Sequence, residues 1–353
     1  MSIPDPVFWR DKRVLLTGHT GFKGSWLTLW LSELGAKVSG ISLAPVGEPN
    51  LFSLAQLESA CTSHIADIRD SHRLQELAAA CQPEIVIHMA AQPLVRASYE
   101  LAAETFAVNV MGTVNLLESL KPLDSLRSVV IVTTDKVYRN LSAAQPFRED
   151  DPLGGHDPYS ASKAACELVA ASYRDSFFRK RGVDVVTARA GNVIGGGDWA
   201  EDRLVPDMVR AWQAGQALSI RYPRAVRPWQ HVLEPLSAYL RLAEATWQGA
   251  AQHHAYNFGP ETASAVSVSE FVEMGRGLWP GAEAVYSAGE DKLAEASWLQ
   301  LDSSRAAQDL GVTPAWSLPQ ALEKTLSWYR KQHDGLQARE LCMHDIHSYT
   351  MQA

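Results

Sequence analysis

Two short runs of the sequence carry side chains that could act together as acids and bases. In VVIVTTDKVY (129–138), Thr134, Asp135 and Lys136 follow an apolar run that is typical of a buried strand. In DPYSASKAACELVAASY, Tyr159 and Lys163 are four residues apart, so both side chains project from one face of a helix. An ammonium group beside a phenol favours the phenolate and makes it a usable base. The same spacing also occurs by chance in helices with a surface lysine.

A glycine-rich stretch lies near the start of the chain. VLLTGHTGFKGSW places Gly18, Gly21 and Gly24 between a predicted strand and a predicted helix. Glycines at these points allow a tight turn, a close approach of a pyrophosphate and close helix–strand packing. Amides at the start of the helix can then bind the phosphate charge. We therefore expect a dinucleotide-binding loop; the alternative is an ordinary strand–helix turn.

The residues after the second predicted strand bear on the choice between NAD and NADP. They read SGISLAP, with neither an acidic residue for the ribose hydroxyls nor an arginine for a 2′-phosphate. Because no basic residue is present, we expect NAD.

The elements that must position these groups alternate through the first 190 residues. Helix-like segments at 24–35 and 104–120 lie between short apolar runs that do not alternate strictly, which indicates strands buried on both faces by helices. The pattern predicts an α/β fold, a doubly wound parallel sheet of Rossmann type with a smaller α/β substrate-binding lobe. The predicted strands are RVLLTG (13–18), KVSGISL (37–43), SHIADI (63–68), EIVIHMA (84–90), SVVIVTT (128–134) and DVVTARA (184–190).

The alternation stops near residue 190, and we divide the chain there. Residues 1–190 are expected to form an NAD-binding domain, and residues 191–330 a smaller substrate-binding lobe whose chain crosses back into the first domain. Residues 331–353 form a polar tail with no clear fold. The net charge of −8 argues against nucleic acid or an anionic membrane as a partner. Four scattered cysteines form no disulfide or metal framework and suggest a reducing cytoplasm, and no apolar run is long enough to span a membrane.

The GxxGxxG spacing, the Tyr159–Lys163 pair and ARAGNVIG (188–195) together resemble the short-chain dehydrogenase/reductase superfamily. The resemblance implies that Asp67 accepts a hydrogen bond from adenine, although it could be an ordinary aspartate at a strand end. It also implies that Asn109 holds the central helix, which is compatible with a buried polar residue that bonds backbone. The cofactor residues that it implies are Gly18, Thr20, Gly21, Phe22, Lys23, Gly24, Asp67, Ile68, Ala90, Ala91, Gln92, Asn109, Thr133, Tyr159, Lys163, Ala190, Asn192 and Val193.

Longer motifs narrow the resemblance to one branch of the superfamily. TTDKVY, GHTGFKGSWL, HMAAQPLVR, AGNVIGGGDWAEDRLVPD and RPWQHVLEPL are similar to those of nucleotide-sugar 4,6-dehydratases of the CDP-glucose type. The similarity runs from Trp9 to the segment at 310–322. Related dehydratases carry glutamate where this chain has Lys136.

The resemblance implies a role for each reactive group. Tyr159 takes the proton of the C4 hydroxyl, Lys163 tunes Tyr159 and holds the nicotinamide ribose, and Thr134 bonds the C4 oxygen. Asp135 is the acid at O6 and Lys136 the base at C5, for which the amine must be neutral. The alternative for Lys136 is a simple surface pair with Asp135.

The negatively charged substrate needs a local basic pocket. Arginine suits phosphate oxygens, and Arg227 is the best candidate because it lies in a motif of the family. The alternative for each of these arginines, taken alone, is a solvated surface residue, as most arginines in proteins are. The expected substrate residues are Gln92, Asn192, Arg203, Leu204, Arg221, Arg227 and His231. The resemblance also implies a homodimer through the helices at 104–120 and 159–178, and a place in deoxysugar biosynthesis for lipopolysaccharide.

Other functions remain open at this point. Another nucleotide-sugar dehydratase or a 4-epimerase of the superfamily would carry many of the same motifs. A non-catalytic dinucleotide-sensing protein would share the fold, but such proteins tend to lose the tyrosine–lysine pair that this chain keeps.

Overall fold

The computed structural model describes residues 3–140, 145–261, 265–286 and 299–352. The predicted lobe at 191–330 therefore includes two segments, 262–264 and 287–298, that lie outside the described residues. The strands are β1 (Arg13–Thr17), β2 (Lys37–Ser42), β3 (Thr62–Ile65), β4 (Ile85–His88), β5 (Ser128–Val132), β6 (Asp184–Ala190), β7 (Val193–Ile194), β8 (Leu218–Ile220), β9 (Val226–Arg227), β10 (Gln230–His231), β11 (Ala255–Phe258), β12 (Val266–Ser267) and β13 (Ala284–Tyr286).

Helices cover the strands and build the second lobe. They are α1 (Pro6–Trp9), α2 (Phe22–Glu33), α3 (Leu51–Leu54), α4 (Ser71–Cys81), α5 (Val95–Glu100), α6 (Ala102–Phe106), α7 (Gly112–Leu120), α8 (Pro158–Tyr173), α9 (Leu204–Gln213), α10 (Leu233–Trp247), α11 (Val268–Leu278), α12 (Ser304–Leu310), α13 (Leu318–His333) and α14 (Ala338–Gln352). No helix in the described part of the chain is long and apolar enough to cross a bilayer.

Within the described residues, seven parallel strands form the main sheet in the order β11-β6-β5-β4-β1-β2-β3. Successive residues of a strand point to opposite faces of the sheet, and each face is covered by its own apolar core. Val14 and Leu16 belong to the core beneath α2 and α10, whereas Leu15 belongs to the core beneath α4 and α7. Both faces of the sheet are therefore buried, and the predicted doubly wound α/β fold is confirmed.

The order of the strands reverses between β1 and β4. The chain runs outward from β1 to β2 and β3, and then returns to build β4, β5 and β6 on the other side. In open α/β sheets, ligands bind at the carboxyl ends of the strands beside such a reversal. The last strand of the sheet, β11, pairs with β6 and lies within residues 191–330, the segment that the sequence assigns to a second lobe.

Helix α8 begins where its sequence directs it to begin. Asp157 is the N-cap residue and accepts a hydrogen bond from the Ser160 amide (2.9 Å), and Pro158 occupies the first turn. This fixed start sets which helix face carries Tyr159 and Lys163.

Two segments differ from expectation. The predicted helix at 104–120 contains a π-helical turn at Ala107–Met111, centred on Asn109. The tail after residue 331 is largely helical, because α13 extends to His333 and α14 follows it. Helix α14 buries Cys342, Ile346 and Tyr349 against the core beneath α2.

Candidate active site

The glycine loop lies against the end of β4. Gly18 has a left-handed φ of +79°, and a Cβ there would lie 2.8 Å from the Ala90 nitrogen. A Cβ on Gly24 would lie 2.0 Å from the Gly18 oxygen. No side chain caps α2 at Gly21, which leaves its first-turn amides open to an anionic group. These features fit the pyrophosphate of a dinucleotide such as NAD.

Thr20 and Lys23 connect this loop to other elements. The Thr20 hydroxyl donates to the Leu43 carbonyl (2.9 Å), which fixes the loop to the end of β2. Lys23 Nζ donates to the Tyr239 hydroxyl of α10 (2.8 Å). Desolvation, with the charges of Lys163 and Arg203, lowers the pKa of Lys23 to about 7.

Asp67 lies just beyond β3, on the side of the sheet expected for adenine. Its carboxylate binds the Arg69 guanidinium (2.6 Å) and accepts from the Arg69 amide (2.8 Å). The hydrogen bond from the Arg69 side chain lowers the pKa of Asp67. An adenine amino group would share this carboxylate with Arg69.

Tyr159 and Lys163 lie on α8 as predicted, but their electrostatics differ from expectation. Lys163 Nζ donates to the Val132 carbonyl (3.1 Å), and desolvation lowers the Lys163 pKa. Burial raises the pKa of Tyr159 to about 12, against a hydrogen bond with Thr134 and the charge of Arg203, which lower it. Burial thus outweighs the neighbouring cations in this structure, whereas we expected Lys163 to favour the phenolate.

Thr134, Asp135 and Lys136, which we call the TDK run, lie just beyond β5. A 3₁₀ turn covers Asp135–Val137, and Thr134 is its N-cap residue. Lys136 Nζ and Thr134 Oγ1 each donate to Asp135 Oδ1 at 3.0 Å. The Asp135 side chain is fully buried, and its Oδ2 has no hydrogen-bond partner in the described part of the protein. Lys136 therefore does form an ion pair with Asp135, as the alternative interpretation has it. The pair is not a simple surface pair, because the Asp135 carboxylate is inside the protein.

A buried polar network holds the end of β4 to α8. Asn109 Oδ1 accepts from the Gln92 amide (2.8 Å), and its Nδ2 donates to Ser162 Oγ (2.8 Å). Ser162 in turn donates to the Tyr159 carbonyl (2.7 Å). The π turn therefore places Asn109 where it bonds both the segment after β4 and helix α8.

The other predicted cofactor residues lie near the same edge of the sheet. Thr133 gives its hydroxyl to Glu167 (2.5 Å), so that side chain faces α8. Ile68 packs against Gly112, and a Cβ on Gly195 would lie 3.2 Å from the Phe22 ring. Those that end or follow strands are Ala90 and Ala91 after β4, Ala190 at the end of β6, Asn192 beyond it and Val193 in β7.

The three predicted substrate arginines lie in different surroundings. Arg203 precedes Leu204, the first residue of α9, and bonds Asp198 (3.0 Å) while its charge acts on Tyr159 and Lys23. Arg221 bonds the exposed Asp202 (3.2 Å). Arg227 is buried and donates to the Val226 carbonyl (3.0 Å).

His231, another predicted substrate residue, lies on β10 beside β7 and is fully buried. Its ring packs between Trp26 and Trp316. Its Nδ1 accepts from the Leu233 amide (3.3 Å), and burial lowers its pKa to about 3. A role for His231 in substrate binding stays a prediction.

The positive charges form a local basic pocket in an acidic protein. The charges of Lys163 and Arg203 act on Lys23, that of Arg203 also acts on Tyr159, and Lys136 pairs with Asp135. An anionic substrate is attracted there although the net charge is −8. The pocket can bind a diphosphate and offers a phenol, a carboxyl and an amine for proton transfer.

Sequence reasoning missed three groups beside the pocket. Burial raises the pKa of Tyr239, the charges of the nearby Tyr159 and Asp135 raise it further, and no motif marks this residue. Glu167 and Arg189 form a buried ion pair behind Thr133. Glu167 could have been found, because it follows Lys163 by four residues on the same helix face.

Comparisons with known proteins agree with this geometry. The family model described as GDP-mannose 4,6 dehydratase matches residues 15–325. The CDP-glucose 4,6-dehydratase of Salmonella typhimurium is 47% identical over 332 residues, 92% of each chain. MoeE5 in complex with UDP-glucose and NAD has a TM-score of 0.75 at 25% identity, over 91% of this chain and 99% of that one. The UDP-glucose 4-epimerase of Thermotoga maritima has a TM-score of 0.79 at 21% identity, over 91% and 99%, which shows the shared fold.

Proposed function

The chain belongs to the GDP-mannose 4,6-dehydratase family and is an NAD-dependent nucleotide-sugar 4,6-dehydratase, and we propose that its substrate is CDP-glucose. The product would be CDP-4-keto-6-deoxy-D-glucose. The observation that carries the proposal is the Asp135–Lys136 pair at the end of β5, beside Tyr159. The 47% identical CDP-glucose 4,6-dehydratase supports the choice of nucleotide.

The first step is oxidation at C4, and the proposed base is Tyr159. Its phenolate form accepts the proton of the C4 hydroxyl and becomes the phenol, and Thr134 bonds the C4 oxygen. Lys163, on the next turn of α8, holds the nicotinamide ribose. When bound, NAD supplies the acceptor for the C4 hydrogen and gives that hydrogen back at C6.

The second step is elimination of water across C5 and C6. Lys136 removes the C5 proton, which the C4 ketone makes acidic, and Asp135 gives a proton to the departing O6. The two groups must then start as a neutral amine and a protonated carboxyl. One proton that moves from the ammonium to the carboxylate along their 3.0 Å hydrogen bond produces both forms at once.

Proton balance is completed within the pocket. Over one turnover Tyr159 gains a proton and Asp135 loses one, while Lys136 returns its proton to C5. Thr134 is hydrogen-bonded to both Tyr159 and Asp135, so it lies on a path by which the proton can return.

The diphosphate is assigned to the arginines around the pocket. Arg203 is the foremost candidate because its charge reaches Tyr159, and Arg221 and Arg227 follow. Residues Gln92, Asn192 and Leu204 remain proposed substrate contacts.

We also propose a homodimer in a reducing cytoplasm. Phe106, Met111 and Leu168 are 40%, 51% and 64% exposed on α6, the adjoining π turn and α8, which form a partly apolar surface. Burial of such a surface favours association. All four cysteines are free thiols, as a reducing compartment would keep them. Light scattering should give the dimer mass, and Leu168→Glu should give a monomer.

Purified protein assayed with CDP-, dTDP-, UDP- and GDP-linked glucose tests the function. We expect the 4-keto-6-deoxy product from CDP-glucose, with no net formation of reduced nicotinamide, and little from the others. Tyr159→Phe should abolish turnover. Release of a C4 epimer without loss of water would replace the dehydratase with an epimerase, and full turnover by Tyr159→Phe would reject the assigned base.

A further inference from the structure

The reactive groups of the TDK run lie on a short segment outside the regular sheet. Strand β5 ends at Val132, and residues 133–138 leave it through a single 3₁₀ turn. Its backbone bonds include Thr133 N to Ala188 O (2.9 Å) and Gly154 N to Val137 O (2.8 Å). These bonds and a β-bridge between Tyr138 and Leu153 hold the backbone at the two ends, and side-chain contacts at the same ends add to them.

One buried ion pair reaches both ends of this segment. Glu167 Oε1 accepts from the Thr133 hydroxyl at the first end (2.5 Å). Arg189 Nη1 donates to the Tyr138 hydroxyl at the other end (2.8 Å). Tyr138 donates onward to Asn257 Oδ1 (2.6 Å), which extends the network to β11.

The Glu167–Arg189 ion pair is buried, and two hydrogen bonds join its side chains. Arg189 donates to Glu167 through Nε (3.0 Å) and Nη2 (2.8 Å), and both side chains are 4% exposed. Glu167 Oε2 also accepts from the Thr187 hydroxyl (2.6 Å). A buried ion pair often stabilises a fold no better than apolar residues of the same size, so its geometry is the better explanation of its presence.

Glu167 belongs to the helix that carries the oxidation machinery. Tyr159, Lys163 and Glu167 follow one another at intervals of four residues on α8, so they share one face. We propose that Glu167 and Arg189 are positioning residues that hold Asp135 and Lys136 in register with Tyr159 and Lys163. This inference deepens the proposed dehydratase function and rests on it.

Variants that each remove one contact test the inference. Thr133→Val removes the first anchor and Tyr138→Phe removes the second, and neither leaves an unpaired charge inside the protein. We expect elimination to slow at least tenfold, measured as exchange of the C5 hydrogen with deuterated water. In Tyr138→Phe, whose residue is not among the predicted cofactor residues, oxidation at C4 should change less than threefold, so reduced nicotinamide should accumulate during turnover and be seen by its absorbance.

Two further variants separate positioning from general stability. Thr133→Ser keeps the hydroxyl and should restore exchange to near the wild-type rate. Glu244→Gln disturbs another buried carboxylate, which accepts from Trp9 Nε1 (2.6 Å) on the N-terminal helix. It should lower the unfolding temperature without changing the ratio of elimination to oxidation.

The outcomes are distinct. A crystal structure of Thr133→Val should show the Asp135 carboxylate displaced, which supports the inference without an activity measurement. If the wild type exchanges C5 and both Thr133→Val and Tyr138→Phe keep the wild-type ratio, the positioning role is wrong. If the wild type neither exchanges C5 nor releases a 4-keto product, the proposed function itself fails, and the inference with it.

Discussion

At the residue scale, Lys136 is the proposed base for the elimination of water. Lys136→Met keeps the length of the side chain but removes the amine that bonds Asp135. We expect the overall rate to fall by about 10²–10⁴, the usual contribution of a general base, while C4 oxidation continues. Rapid-quench analysis should find a 4-keto sugar that still carries its C6 hydroxyl.

Lys136→Arg is the matched control for charge. Arginine can keep the ion pair with Asp135 but stays protonated at any working pH, so it cannot act as a base. It should be as slow as Lys136→Met. Wild-type elimination by Lys136→Arg would show that the charge of this side chain matters and that its basicity does not.

His231 makes a prediction about acid stability. Its folded-state pKa of about 3 lies below the unfolded value of about 6.5, so the unfolded chain binds the extra proton between these pH values. Its contribution to stability is complete above pH 6.5 and is lost as the pH falls toward 3. His231→Phe keeps a ring between Trp26 and Trp316, and from pH 7 to pH 5 it should gain about 2 kcal/mol relative to the wild type. Urea unfolding at both pH values measures this, and a constant difference would contradict it.

At the element scale, the strands could be predicted because each one is marked by an apolar run in its own residues. It placed the end of β5 two residues too late, at 134 instead of 132, because the turn after Val132 is held by bonds to distant groups. Thr133 bonds Glu167, which is 34 positions away. No local pattern contains that partner.

The helix at 104–120 shows the same limit. Its apolar pattern predicted a continuous helix, and the π turn appears where Asn109 bonds Gln92 and Ser162, which are 17 and 53 positions away. The site residues that the sequence proposes are those in compact motifs. The burial of His231 was not expected, because the two tryptophans that enclose it are remote in sequence.

Helix α2 offers a prediction about its packing on the glycine loop. A Cβ on Gly24 would meet backbone, at 2.0 Å from the Gly18 oxygen, so Gly24→Ala must push the helix away. Overpacking of this kind costs about 1–3 kcal/mol, and NAD should bind more weakly. Gly277 lies in α11 with nothing within 4 Å of its Cβ position, so Gly277→Ala should stabilise by about 0.5–1 kcal/mol. Urea unfolding and calorimetry with NAD measure both, and equal effects of the two changes would exclude the close approach.

At the scale of the whole molecule, the C-terminal helix joins distant parts of the fold. The family match ends at residue 325, inside α13, yet α14 packs its buried face against α2, the helix that begins at the glycine loop. Tyr349 contacts the rings of Trp30 and Trp316, and its hydroxyl donates to the buried Glu234 (2.8 Å). The tail thus packs against α2, the helix that follows the glycine loop, although its polar sequence did not predict this contact.

Glu234 is the group on which that support depends. It also accepts from the amides of Ala315 and Trp316, and burial raises its pKa. Tyr349→Phe keeps both ring contacts and removes one hydrogen bond to a buried carboxyl, so it should destabilise by about 1–3 kcal/mol. Removal of residues 338–353 should destabilise far more, because it uncovers Trp30 and the face of α2. Thermal unfolding with and without NAD measures both variants, and a truncated chain that unfolds at the wild-type temperature would show that α14 contributes nothing to the stability of the cofactor domain.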